Sequence, residues 1–138
     1  MTVHRLQLTL TAALPEIERL HQAWQDLQDR HGLPEEARWK VQLAVEEIVT
    51  NTIVHGFKDC SGGSISMEVV LTPASICISL VDAAPAFDPL EAPVPDTSLP
   101  LGERQPGGLG VQLARTLMDH IEYARVDGKN HLIMEKAF

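Results

Sequence analysis

The chain has 138 residues, enough for one domain with one buried core, and its 44% apolar and 22% charged content is that of an ordinary globular protein. Its formal charge of −8, from 11 basic and 19 acidic side chains, excludes a protein that grips nucleic acid through phosphate contacts, though not one that holds a nucleotide through backbone N–H groups. No run reaches the roughly 18 apolar residues of a membrane span, and Met1-Thr-Val-His-Arg5 lacks the apolar core of a signal peptide; a cytoplasmic location is expected, with Cys60 and Cys77 as two free thiols.

Leu6, Leu8 and Leu10 alternate, which predicts a first strand over residues 5–10. Pro15 opens a helix carrying Ile17, Leu20, Trp24 and Leu27 on one face, and Gly32 ends it. Pro34 starts a longer helix that the spacing extends to about His55 or Gly56, with Ala37, Val41, Ala44, Val45, Ile48, Val49 and Thr52 inward. The cluster Asp59 to Gly63 reads as a turn. Ile65, Met67, Val69 and Leu71 then mark one strand and Ile76, Ile78 and Leu80 the next, joined by Thr72-Pro-Ala-Ser75 as a hairpin. Residues 83–106 hold six of the nine prolines, and a loop of that length in a small domain is expected to be a lid or disordered. A last helix runs from about Gly108 to Met118, followed by a hairpin of residues 121–126 and 131–136 around Asp127-Gly128. Helices sharing one face of a mixed, mostly antiparallel sheet give an α/β (α+β) two-layer sandwich, expected as a single domain over 1–138.

Three constellations carry chemistry. Glu47, Asn51 and His55 share one helix face at spacing four, where a solvated stripe and a site are both open readings. An Asn oxygen suits Mg²⁺, and a carboxylate one turn earlier can polarise an attacking hydroxyl. Glu46 lies roughly 100° round the helix from Glu47, so only one of the two is expected to enter a site. Asp82 closes an apolar strand on its apolar face, as a cap for the following loop or as an acceptor for a ligand's amino group. Gly107-Gly108-Leu109-Gly110 leads into the last helix and offers N–H groups to phosphate oxygens. Phe87 opens the long loop as an anchor against a ligand pocket or the core. None of the six histidines pairs at zinc-like spacing.

In combination these residues resemble the GHKL ATPase superfamily with its Bergerat-type ATP-binding fold, and within it the anti-sigma-factor serine/threonine kinases. The resemblance covers nearly the whole chain. The family's E-x-x-x-N box is met by Glu47 and Asn51, which implies Glu47 as general base and Asn51 as the Mg²⁺ ligand. Its adenine-binding aspartate falls on Asp82, and where the superfamily reads D-x-G this chain reads Asp82-Ala83-Ala84. The resemblance adds Ala84 and Phe87 to the nucleotide site, places the phosphate-binding glycine box on Gly108, Leu109, Gly110 and Val111, and makes residues 83–107 a lid. It implies ATP and Mg²⁺ as cofactors, phosphorylation of a STAS-type anti-sigma-factor antagonist, sequestration of a sigma factor, and a homodimer. The alternative it leaves open is an ATP-binding sequestering module with little or no kinase activity.

Overall fold

A computed structural model describes residues 3–58, 62–91 and 109–138. The alternating leucines form β1 (His4–Thr11), and helix α1 (Glu16–His31) follows after a tight turn. The Glu16 carboxylate reaches back to the Thr11 N–H at 2.9 Å and its hydroxyl at 3.0 Å, which ties the end of β1 to the start of α1. Those hydrogen bonds hold the Glu16 carboxyl below the usual carboxylate range. Gly32 ends α1 in the left-handed region at φ 61°, its N–H returning to the Gln28 carbonyl at 2.9 Å. Pro34 then sets up α2 (Glu35–Asn51), which buries the predicted apolar stripe from Ala37 to Val49.

The second helix does not continue as an α-helix to Gly56. Residues Thr52–Gly56 form a π-turn, closed by the Phe57 N–H on the Thr52 carbonyl at 3.0 Å. The wider turn buries Thr52, Ile53, Gly56 and Phe57 and leaves Val54 and His55 exposed. A strict 3.6-residue extrapolation misses this change of phase.

The sheet comprises β1, β2 (Ser64–Leu71), β3 (Ser75–Asp82), β4 (His120–Val126) and β5 (Lys129–Ala137), in the order β1-β2-β3-β5-β4, every pairing antiparallel. One face carries Ile65, Met67 and Val69 of β2, Ile76, Ile78 and Leu80 of β3, and Leu132 and Met134 of β5, all buried with the helices. The opposite face shows Ser66, Glu68, Cys77, Ser79, Ile133 and Glu135, which are half-buried or exposed. One-sided burial of an antiparallel sheet under helices is the two-layer arrangement the alternation requires. The last helix, α3 (Leu109–Leu117), packs on α2 through Val111, Ala114 and Leu117. A short 3₁₀ turn at Pro89–Glu91 lies between β3 and α3.

Register aligns one row across the helix-facing side of the sheet at a single end. Leu10 opposes Ile65, Ile65 opposes Asp82, Asp82 opposes Asn130, and Asn130 opposes Arg125. The row starts apolar and turns polar at the strands that border the candidate site.

Candidate functional site

The last α-helical turns of α2 and the start of α3 build one cleft of about 150 Å³, lined by Glu47, Thr50, Asn51, Val54, His55, Gly110 and Val111. Spacing of four puts Glu47 and Asn51, both half-buried, side by side on the wall. Glu46 turns away to α1, where its carboxylate meets His21 Nε2 at 2.6 Å. His55, on the π-turn, lines the same cleft as Glu47 and Asn51, and its exposed ring stands 6.5 Å from that of Phe87.

Gly110 faces Glu47 across the cleft. A Cβ at position 110 would overlap the Glu47 carboxylate and lie 2.9 Å from its Cδ. A side chain there fits only if the Glu47 carboxylate moves away, so in this arrangement the carboxylate lies against bare helix backbone. Leu109 and Gly110 are the first residues of α3. Helix-start N–H groups lack intrahelical partners and carry the positive end of the helix dipole, an environment suited to phosphate. Val111 is 2% exposed and anchors that turn in the core. The predicted Gly107, Gly108 and Arg104, with most of the lid, lie outside the described residues.

The second half of the site stands at the end of β3. Asp82 is 8% exposed. Its Oδ1 accepts from the Ala84 N–H at 3.0 Å and from Asn130 Nδ2 at 2.8 Å, so the carboxylate does cap the loop, as one of its two readings had it. Asp82 also lines a cleft of about 360 Å³ with Phe57, Gly62, Gly63, Ser64, Ser66, Val81, Ala83, Ala84 and Lys129. Among the described non-glycine residues only Asp127 has positive φ, so Ala84 sits in the D-x-G position without backbone strain.

Beneath Asp82 is a void of about 10 Å³ bordered by Thr52, Asp82, Phe87, Pro89, Tyr123 and Asn130, among other residues, room for about one water. Phe87 is half-buried, and its ring holds the Gly56 backbone close enough that a Cβ there would lie 3.2 Å from Cδ1. A ligand ring entering between α2 and the sheet therefore has to displace Phe87 and Pro89.

Sequence reasoning missed Thr52 as a site residue, and with it Tyr123, Arg125 and Asn130. Starting the last strand at His131 left Asn130 in the turn. Extending the inward alternation of Leu132 and Met134 by one step places Asn130 beside Asp82.

The donor set fits a purine nucleotide: a buried acceptor-only carboxylate for an exocyclic amino group, and a helix start for phosphates. Among the described residues no group of three His, Cys, Asp or Glu side chains converges as a metal site. A divalent ion at Asn51 would therefore take most of its oxygens from phosphates and water, which is the habit of Mg²⁺.

A family model described as a histidine kinase-like ATPase domain matches residues 10–136. The chain is 31% identical over 97 residues to the serine/threonine-protein kinase BtrW of Bordetella bronchiseptica, covering 70% of this chain and 68% of that one. It is 30% identical over 101 residues to the anti-sigma F factor of Clostridium beijerinckii, covering 71% and 69%. Against the serine-protein kinase RsbW of Listeria monocytogenes it is 32% identical over 98 residues, covering 67% and 62%. Among solved structures, a Mycobacterium tuberculosis chain with RsbU and RsbW domains superposes with a TM-score of 0.67 at 17% identity. That match covers 96% of this chain and 32% of the other, a likeness of fold.

Proposed function

The chain belongs to the histidine kinase-like ATPase domain family, and within it to the anti-sigma-factor serine/threonine kinases, and on that premise we propose that it is an ATP-dependent protein-serine/threonine kinase. Its substrate in this reading is a serine or threonine on a STAS-type anti-sigma-factor antagonist, and its second partner is a sigma factor that it sequesters. The observation that carries the reading is the meeting of Glu47, Asn51 and the start of α3 in one cleft.

Each residue has a role in that chemistry. Glu47 accepts the proton of the attacking hydroxyl, and its place against Gly110 holds that carboxylate at the start of α3. Asn51 would hold a magnesium ion through its neutral side-chain oxygen, and that ion would supply neutralisation of phosphate charge. The N–H groups of Leu109 and Gly110, with those of Gly108 and Val111, receive phosphate oxygens. Asp82 accepts from the base, Ala84 lies under it, and the Phe87 ring swings out to make room for it. Phosphoryl transfer depends mainly on positioning and charge neutralisation, which a site this sparse in catalytic side chains can supply. In this reading the chain works in the cytoplasm. β1 ends the sheet on one side, and in this reading it is the edge a homodimer would use.

Titration calorimetry with ATP, with and without Mg²⁺, tests the reading. Mg²⁺-dependent binding by the natural chain, weakened roughly tenfold or more by Asn51→Ala, is the expected result. Absence of nucleotide binding by the natural chain overturns it.

A further inference from the structure

Asn130 is the most fully committed side chain in the described part of the molecule. It is 5% exposed and stands directly across from Asp82 on the neighbouring strand. Its Nδ2 donates to Asp82 Oδ1 at 2.8 Å, to the Pro85 carbonyl at 3.1 Å and to the Ala84 carbonyl at 3.3 Å. Its Oδ1 accepts from the Phe87 N–H at 3.1 Å, from Arg125 Nη1 at 3.1 Å and from the Tyr123 hydroxyl. Acceptors surround one end of the amide and donors the other. Turning it over would set its oxygen against a carboxylate and two carbonyls, and its NH₂ against an N–H and a guanidinium. One orientation is therefore imposed.

Two things follow for Asp82. Its Oδ1 is spent on Ala84 and Asn130, while among the described residues no donor reaches Oδ2. The turn from Ala84 to Phe87 is held by the same amide, so the wall beside the carboxylate is fixed with it. Arg125 ties the far side, its Nη1 on the Ala84 carbonyl at 2.7 Å.

Resting on the nucleotide reading above, we infer that Asn130 is the positioning residue that sets base selectivity. By fixing the rotation of Asp82 it presents a single carboxylate oxygen, an acceptor with no proton to give, to the entering base. A 6-amino group meets that oxygen with a hydrogen bond; a 6-oxo group meets it with a lone pair. Within the Asp82–Ala83–Ala84 segment the Ala84 N–H alone holds Oδ1; Asn130 adds the second hydrogen bond to the same oxygen, and without it the carboxylate can swing about the single bond that remains.

The test is binding of ADP and of inosine diphosphate, which differs at position 6, by calorimetry with Mg²⁺. The natural chain, Asn130→Ala and Arg125→Ala are compared. The natural chain should prefer ADP, Asn130→Ala should lose roughly tenfold or more of that preference chiefly through weaker ADP binding, and Arg125→Ala should lose less in the same direction. A purely structural role lowers both affinities together and leaves their ratio unchanged, and that outcome overturns the inference. Should Asn130→Ala fail to fold, an unchanged ratio in Arg125→Ala overturns it equally. A natural chain that binds both nucleotides alike removes the selectivity while sparing the nucleotide site; one that binds neither removes both.

Discussion

The Glu47 carboxylate rests on the backbone of Gly110, and a Cβ built on that glycine would come within 3.3 Å of the Glu47 Cβ as well as overlapping the carboxylate. Two elements far apart in sequence, the end of α2 and the start of α3, thus meet without an intervening side chain.

Gly110→Ala should show the importance of that contact. Alanine is the better helix former, so α3 itself gains by up to about 1 kcal/mol. The carboxylate, at the free end of a flexible side chain, has to swing away. The expected result is a protein that melts within a few degrees of the natural one while phosphoryl transfer falls roughly a hundredfold. A full-rate Gly110→Ala enzyme would show that Glu47 need not sit against α3.

Glu47→Ala separates the kinase reading from the sequestering one. Transfer to an antagonist serine should drop by about 10²–10⁴-fold, with ADP binding and sigma-factor binding retained. Radiolabelled transfer and pull-down on the same preparation read both. If the natural chain and the variant behave alike in every respect, the protein acts by sequestration alone.

Much of the fold is legible in the sequence because it rests on periodicities that tertiary contacts reinforce. The leucines of β1, the stripe of α2 and the Asp127-Gly128 hairpin all fall where local rules put them. The site is only half legible. Glu47, Asn51, Asp82 and Gly110 can be found because their residue types are unusual for their local positions. Asn130 and Arg125 are ordinary near a turn, and only cross-strand register brings them to Asp82. The π-turn is hidden for a similar reason: Thr52-Ile-Val-His-Gly56 keeps a helical composition, and the packing of Phe57 and Phe87 decides its phase.

Gly32→Ala isolates a backbone effect. Nothing lies within 4 Å of a Cβ at this position, yet φ is 61°. The left-handed conformation costs an L-residue about 1–2 kcal/mol, so thermal unfolding should show destabilisation of that order with no change in nucleotide affinity. A stability equal to the natural protein's would mean that the α1–α2 connection relaxes to another conformation.

Asp119 predicts part of the acid limb of stability. Its carboxylate receives the Ala137 N–H at 2.6 Å and Lys136 Nζ at 3.1 Å, and the Ala137 bond above all holds its pKa below the ordinary 3.8. A carboxyl whose folded pKa is depressed stabilises above its unfolded value and loses that contribution as pH falls through the folded one. Asp119→Ala should therefore lower the melting temperature near pH 7, with the gap to the natural protein closing as pH drops below about 3.8. Because the group is exposed the effect is small, and a gap that persists unchanged at pH 2 would assign it to packing instead.

The turn at Thr52–Gly56 has a consequence for how this chain tolerates change in length. A π-turn accommodates one residue more than the α-helix around it, so removing a single residue there would let α2 run on regularly. Everything downstream would arrive rotated by roughly 100°. Phe57 would leave its place against Gly63, and Gly56 would no longer offer its bare backbone to Phe87. What this segment encodes is a count: substitutions within it should disturb the fold less than the loss of one residue.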